Sequence, residues 1–365
     1  MAAVRVAFDV GPLVGRRTGI GNAVASLRDG LGQRDDLELR PYLTSFRARR
    51  RDDVTRLPLP AAVAHRCWAR ADRPGVDRWL GGSDVVHGTN YVVPPSRMPR
   101  LVSVYDCWFL EHPDLANGDV RRAGEVLRRA VARGAVVHAC SLATAAALSA
   151  HLPGAVVETV PLAPLPLPEA APECPIPELR GRPFIVAIGT MERRKNLPTL
   201  VTAFGHVAEH VDDVLLVIAG GDGDDRRAVD EAILALPADV GRRVLLAGFV
   251  PDHARAWLLR QARVLAYPSL DEGFGFPLLD AMQAGTPIVA SHVGSIPEVA
   301  GDAALLSPAA DTHALARHLI EVLEDEALRA RLREAGAQQL TTFDWARTAA
   351  AMAALYHRLA PGGTS

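Results

Sequence analysis

VLAYPSLDEGFGFPLLDAMQAGTPIVAS, residues 264 to 291, packs two apolar runs, a glycine turn and a helix into one short stretch. VLAYPS (264–269) and PIVAS (287–291) read as buried strands. Between them DEGFGFPLLDAMQAGTP turns through two glycines and starts a helix at Pro277, a favoured first helical position. Strand, helix and strand in so few residues make a βαβ unit, which forces the strands parallel. Glu272 falls just before the helix and Asp280 about one turn into it, so both can face whatever lies beyond the helix N-terminus. The backbone N–H groups of Gly273, Phe274, Gly275 and Phe276 point the same way and suit an anionic group. Carboxylates accept several hydrogen bonds each, which matches the vicinal hydroxyls of a sugar or a ribose. The same two acids would also serve merely to favour the helix dipole and cap a turn.

The same alternation extends on both sides. FIVAIGT (184–190), VLLVIAGG (214–221) and VLLAGF (244–249) are further strand candidates, with LPTLVTAFGHVAEHV and HARAWLLRQA as intervening helices. Upstream, VRVAFDV (4–10), DVVHGT (84–89), LVSVYD (101–106) and AVVHACS (135–141) alternate with amphipathic pieces such as VRRAGEVLRRAVARG (120–134). The two series are separated by PLAPLPLPEAAPECPIPELRGRP, whose prolines block both helix and central strand. The expected fold is therefore α/β, with two Rossmann-like doubly wound domains facing across a cleft. The expected boundaries are 1–165, a linker at 166–182, and 183–342. FDWARTAAAMAALYHRL (343–359) should form a helix, ending near 360, that packs back on the first domain.

Composition narrows the class. No run of about 18 apolar residues exists that could span a bilayer, and MAAVRVAFDVGPL reads as a first strand rather than an export signal. Cys67, Cys107, Cys140 and Cys174 form no CxxC pair, so a reducing cytoplasm is the expected setting. Net charge is −2 but uneven: residues 1–175 hold 22 Arg against 18 acids, and the rest holds 18 basic against 24 acidic groups. A mildly basic first half could meet a phosphorylated substrate or an anionic membrane surface. RARRR at 47–51 is too short and isolated to indicate nucleic-acid binding.

Of the 40 basic residues only one, Lys195 in GTMERRKNLP (189–198), is a lysine. Gly189 and Thr190 should end a buried strand, and Asn196 could cap the following helix. That would hold Lys195 at a helix N-terminus, where a phosphate already gains from the dipole. A compact ammonium on a flexible stem can follow moving phosphate oxygens, whereas a guanidinium imposes a planar fork. DGDD (222–225) invites a metal reading, but aspartate is also a default residue of glycine-rich turns, and the turn is the expectation. Gly19-x-Gly21 fits a dinucleotide fingerprint poorly, because it comes about ten residues after the strand and lacks the third glycine.

Taken together, DEGFGFPLLDAMQAGTP resembles the E-x7-E signature of retaining glycosyltransferases of family GT4, which have the GT-B fold. AGTPIVASHVGSIPEVAGDAALL, GTMERRKNLPTLVTAF, DVGPLVGRRTGIGNA and DVVHGTNYVVPP are also similar to that family. The resemblance implies that Glu272 holds hydroxyls of a donor sugar and Asp280 a ribose diol. Gly273 to Phe276 would offer amides to the sugar and the distal phosphate. Gly19 and Gly21, in the loop after the first strand, would let backbone approach the diphosphate. Phe249 and Val250 of GFVPD fall where the family seats the nucleobase. Relatives often have Gly-Arg where this chain has Gly189-Thr190, so the arginine role would pass to Arg194, beside Lys195. The second signature acid is Asp280 rather than Glu, about 1.5 Å shorter in reach. Many relatives carry a histidine where this chain has Tyr105, followed by Asp106; His87 is a further candidate on the acceptor side.

What the resemblance implies chemically is hexosyl transfer from a nucleoside diphosphate sugar, with retention, to a glycan, lipid-linked or small-molecule acceptor. It implies no cofactor and no metal, and the setting would be cytoplasmic, with contact at the inner membrane surface conceivable through the basic half. Two other readings stand beside it: a nucleotide-sugar 2-epimerase on the same architecture, and a nucleotide-sugar-binding protein without turnover. A pyridoxal-phosphate phosphorylase would need a second lysine.

Overall fold

The computed structural model describes residues 3–15, 18–45 and 52–362. The basic run at 47–51 lies outside them. The chain forms two compact units: residues up to Ala163 together with those from Phe343, and Pro164–Thr342.

The first unit is built on one parallel sheet. Its strands are β1 (Val4–Asp9), β2 (Leu37–Leu43), β3 (Thr55–Arg56), β4 (Val85–Gly88), β5 (Arg100–Val104), β6 (Val136–Ala139) and β7 (Val157–Thr159), in the order β3-β2-β1-β4-β5-β6-β7. The central strands are predominantly apolar because helices cover both faces, and β4 and β5 are buried at every residue, the polar His87, Arg100 and Ser103 included. Strands β2, β3 and β7 carry no such run. Strand β2 mixes charges with Pro41 and is only partly buried, β3 has two residues, and β7 has three half-buried ones. Polar residues cap several of its helices. The Asn117 side chain accepts the N–H groups of Asp119 and Val120 at the start of Gly118–Val131.

The helix Trp345–Leu359 belongs to this unit, with Met352, Ala353 and Tyr356 fully buried. It lies against the helix Gly19–Gly32, closely enough that a Cβ on Gly30 would sit 3.1 Å from Ala349 Cβ. Thr348 donates to Pro161 O at 2.8 Å, and His357 reaches Asp36 at 2.9 Å.

Tyr356 also enters a buried polar chain. Its hydroxyl is 2.7 Å from His87 Nδ1, His87 Nε2 is 2.8 Å from Ser103 Oγ, and Ser103 Oγ is 2.8 Å from His138 Nδ1. His138 Nε2 is 2.9 Å from Val160 O. A carbonyl only accepts, so His138 Nε2 must carry the proton, and every donor upstream is then fixed. Tyr356 donates to His87, His87 to Ser103, Ser103 to His138, and His138 to the carbonyl. Both imidazoles are neutral in this arrangement. Burial holds His87 well below the usual histidine pKa and His138 down at about 4.

The second unit repeats the plan. Its strands are β8 (Phe184–Ile188), β9 (Leu215–Ala219), β10 (Val244–Gly248), β11 (Val264–Tyr267), β12 (Ile288–Ser291) and β13 (Ala304–Ser307), ordered β10-β9-β8-β11-β12-β13. Leu200, Phe204 and Val207 of the helix Leu197–Ala208 pack with Leu315, Leu319 and Val322 of Thr312–Glu324 over this sheet. The proline-rich stretch forms no helix or strand from Pro161 to Ile176. It is tied to the second unit through Ala171 N–H donating to His253 O at 2.9 Å. Counted within its own unit, each sheet begins 3-2-1-4-5-6, the Rossmann order. Each therefore has a switch point where the strand order reverses, between β1 and β4 and between β8 and β11. Ligands of open α/β sheets bind at the carboxyl ends of the strands there.

Candidate functional site

At the second unit's switch point the chain leaves β8 through Gly189 and Thr190, makes a short 3-10 turn at Arg193–Lys195, and enters the helix Leu197–Ala208. From β11 it runs through Pro268 to Gly275 into the helix Phe276–Ala284. Two features close the second loop. Gly275 sits at φ 91°, a left-handed conformation that favours glycine, just ahead of that helix. Gly294, at φ 50°, lies so near the Glu272 backbone that a Cβ would come within 2.6 Å of its carbonyl oxygen.

Glu272 is the centre of the cluster. Lys195 Nζ lies 2.6 Å from Oε1, Arg194 Nη1 2.6 Å from Oε2, and Ser269 Oγ donates to Oε1 at 2.8 Å. Only 5% of the residue is exposed. Burial pushes this carboxyl up, but Lys195 and Arg194 outweigh it and hold the pKa at about 2. Lys195 also donates to Tyr267 OH at 3.0 Å, and Leu270 N–H donates to Arg194 O at 2.7 Å. The lysine stem runs over Gly189, with Cε 3.3 Å from where a Cβ would stand. Lone lysine, adjacent arginine and first signature acid are thus one interlocked group.

Asn196 stands at the helix N-cap, but not as a capping acceptor. It is left-handed at φ 53°, its Nδ2 donates to Pro268 O and Ala309 O, and its Oδ1 accepts from Thr199 Oγ1 at 2.7 Å. It pins the Lys195 turn to the neighbouring loop. Asp280, 7% exposed, ion-pairs with Arg255. Burial raises its pKa and Arg255 opposes the rise. Phe274 is buried and meets Phe276 edge-on at 5.4 Å between ring centroids. Phe249, which follows β10, is 62% exposed, and Val250 follows it. The DGDD acids have local partners: Asp222 takes Arg226 at 2.6 Å, and Asp224 accepts Arg193 N–H at 3.1 Å.

The first unit holds the remaining candidates. Gly19 and Gly21 are not in a loop. They open the helix Gly19–Gly32, and the Gly21 N–H already donates to the Thr18 cap at 3.4 Å. His87 is fully buried in the polar chain described above. Tyr105 is buried and donates to Thr89 O at 2.9 Å; burial pushes its phenol well above the usual value. Asp106 accepts from Tyr91 OH at 3.0 Å and from Trp108 N–H at 3.3 Å. Sequence reasoning missed Tyr267, Ser269 and Arg255. Tyr267 and Ser269 stand in the YPS that closes a strand beside the acidic signature, a legible place. Arg255 had no local signal, because its partner lies 25 residues on.

Two Rossmann-like units, the second with a buried carboxylate-cation cluster at its switch point, define a molecule of the GT-B class. Residues 175–339, nearly all of the second unit, match the family model for glycosyl transferases group 1. The O-antigen chain mannosyltransferase B of Escherichia coli is 34% identical over 171 residues, covering 46% of this chain and 44% of that protein. The phosphatidyl-myo-inositol mannosyltransferase of Mycobacterium leprae (strain TN) is 33% identical over 196 residues, covering 52% and 51%. This chain thus matches about half the length of these curated relatives. Sucrose-phosphate synthase from Thermosynechococcus elongatus shares the fold over 98% of this chain and 99% of its own, with a TM-score of 0.73 at 20% identity.

Proposed function

We propose that the protein is a retaining glycosyltransferase that moves a hexosyl group from a nucleoside diphosphate sugar to an acceptor hydroxyl, glycan, lipid-linked or small-molecule. The observation that carries this reading is the Lys195–Glu272–Arg194 cluster beside the N-terminus of Phe276–Ala284. When the glycosyl bond breaks, negative charge develops on the leaving phosphate. Cations already fixed in place stabilise that charge without reorganising at the moment of reaction. Glu272 keeps the two cations oriented, and with its pKa at about 2 it stays ionised at neutral pH. Amides at the helix start add dipole toward the same anion. Asp280, paired with Arg255, is the group for the ribose diol, and Phe249 offers an exposed face for the base. No cofactor and no metal enter this scheme, since the cations are side chains and the leaving phosphate takes the acceptor proton. Among the described residues no helix is long and apolar enough to cross a membrane. A lipid-linked acceptor would then be met at the membrane surface.

A thermal-shift screen of nucleoside diphosphates and their sugars tests the reading. Stabilisation by one nucleotide series is expected, by about 2.7 kcal/mol at a hundredfold excess over Kd. If no nucleotide raises the midpoint, the donor-site assignment fails.

A further inference from the structure

The Lys195 ammonium carries three N–H bonds. One goes to Glu272 Oε1 at 2.6 Å and one to the Tyr267 hydroxyl at 3.0 Å, while the third has no acceptor among the described residues. An ammonium held at one point still turns about that hydrogen bond, and its other two N–H groups sweep a cone. A second anchor stops the rotation and leaves the last N–H in a single direction. Orientation fixed in advance is orientation that a ligand need not supply.

Tyr267 is built as such an anchor. It ends β11, is 2% exposed, and its ring stands beside Gly275, where a Cβ would come 3.9 Å from Cε1. Its hydroxyl accepts from Lys195, so its own proton goes elsewhere. Glu272 receives it, and that hydrogen bond helps to hold the carboxyl at about 2. Burial keeps the phenol pKa well above its ordinary value, so the proton stays on. Tyr267 is therefore a neutral acceptor. Glu272 orients the ammonium but also offsets its charge, whereas Tyr267 orients it and leaves the charge for a ligand. The ring adds its face, with Nζ 4.8 Å from the centroid.

The charge itself needs support. Burial lowers the Lys195 pKa, Glu272 resists the fall, Arg194 adds to it, and Glu192 resists it. A hydrogen bond accepted from the ammonium favours the charged form, so the Tyr267 hydroxyl works on the side of Glu272. We infer that Tyr267 is the positioning residue of this cluster: its hydroxyl stops rotation of the Lys195 ammonium and leaves the third N–H for one oxygen of an anionic ligand. Its bearing on turnover rests on the glycosyltransferase reading; its hold on Lys195 does not.

Lys195 is the only lysine in the chain, so the full protein grown on lysine labelled with carbon-13 at Cε gives one side-chain NMR signal. Its titration midpoint is read without substrate in wild type and in Tyr267→Phe, which keeps the ring and removes only the hydroxyl. The midpoint should drop by about one pH unit or more in the variant, the scale of one hydrogen bond to a charged group. Circular dichroism checks that the variant is folded. Relaxation of the same signal in wild type gives a second reading that needs no variant, and it should report a rigid side-chain end. The inference is overturned if the folded variant titrates unchanged or higher, or if the wild-type order parameter falls below about 0.6. Uridine, guanosine and adenosine diphosphates are then added to the wild type. A signal that no nucleotide moves removes the donor-site reading and leaves the hold of Tyr267 standing. A signal that nucleotide moves, with the midpoint unchanged in the variant, removes only this inference.

Discussion

Lys195 is enclosed, with its side chain 13% exposed. Its stem crosses Gly189, and its head reaches Glu272 and Tyr267 within 3.0 Å. Lys195→Ala should lower kcat by ~10² or more, the scale of one lost transition-state donor. Lys195→Arg should also be impaired, because the larger planar head has to fit the same enclosed position. Single-turnover kinetics with saturating donor would read both, and a wild-type rate in Lys195→Ala would remove the lysine from the chemistry. At this scale the sequence was a good guide to Lys195, Arg194 and Glu272, because a strand end and a helix start on each side put them at one switch point. It could not show that Glu272 already has three partners, nor that Asp280 is held by Arg255. Such contacts depend on how separate βα loops meet, which no local spacing encodes.

Strands and helices carry a pH dependence of their own. The chain from Tyr356 through His87, Ser103 and His138 joins the helix Trp345–Leu359 to β4, β5 and β6 with both histidines neutral. In the unfolded chain histidine titrates near 6.5, whereas burial takes His138 down to about 4 and His87 well below its usual value. Between those limits the unfolded state binds more protons than the native one. The pair's contribution to stability is therefore full above about pH 6.5 and falls as pH drops toward 4. Tyr356→Phe leaves His87 Nδ1 without its donor and should cost about 1–3 kcal/mol at pH 7.5. Urea unfolding of both proteins at pH 7.5 and pH 5 would check the cost and the acid slope. Unchanged stability of Tyr356→Phe relative to wild type at pH 7.5 would contradict the hydrogen-bonded chain. The interior elements of both sheets were legible because their apolar runs have no competing reading. Strands β2, β3, β7 and β13 were missed, being short or partly buried segments at sheet edges or beside them. The glycines at 19 and 21 read as a loop because Thr18, their cap, gives no periodic signal.

On the scale of the molecule, the second unit is one continuous segment and the first is not. Removing the residues from Phe343 would strip Met352, Leu355 and Tyr356 from the first unit while leaving every strand of the second intact. Such a truncation should lose one cooperative transition in calorimetry and keep the other. Loss of both, or of neither, would contradict the division. This connectivity also fixes an order of assembly. Domains usually fold from the N-terminus as the chain emerges during synthesis. Here the first sheet waits for a helix encoded almost two hundred residues after its last strand, while Pro164–Thr342 has everything it needs before that helix exists. Birth order and folding order run in opposite directions, and the unit translated first is completed last.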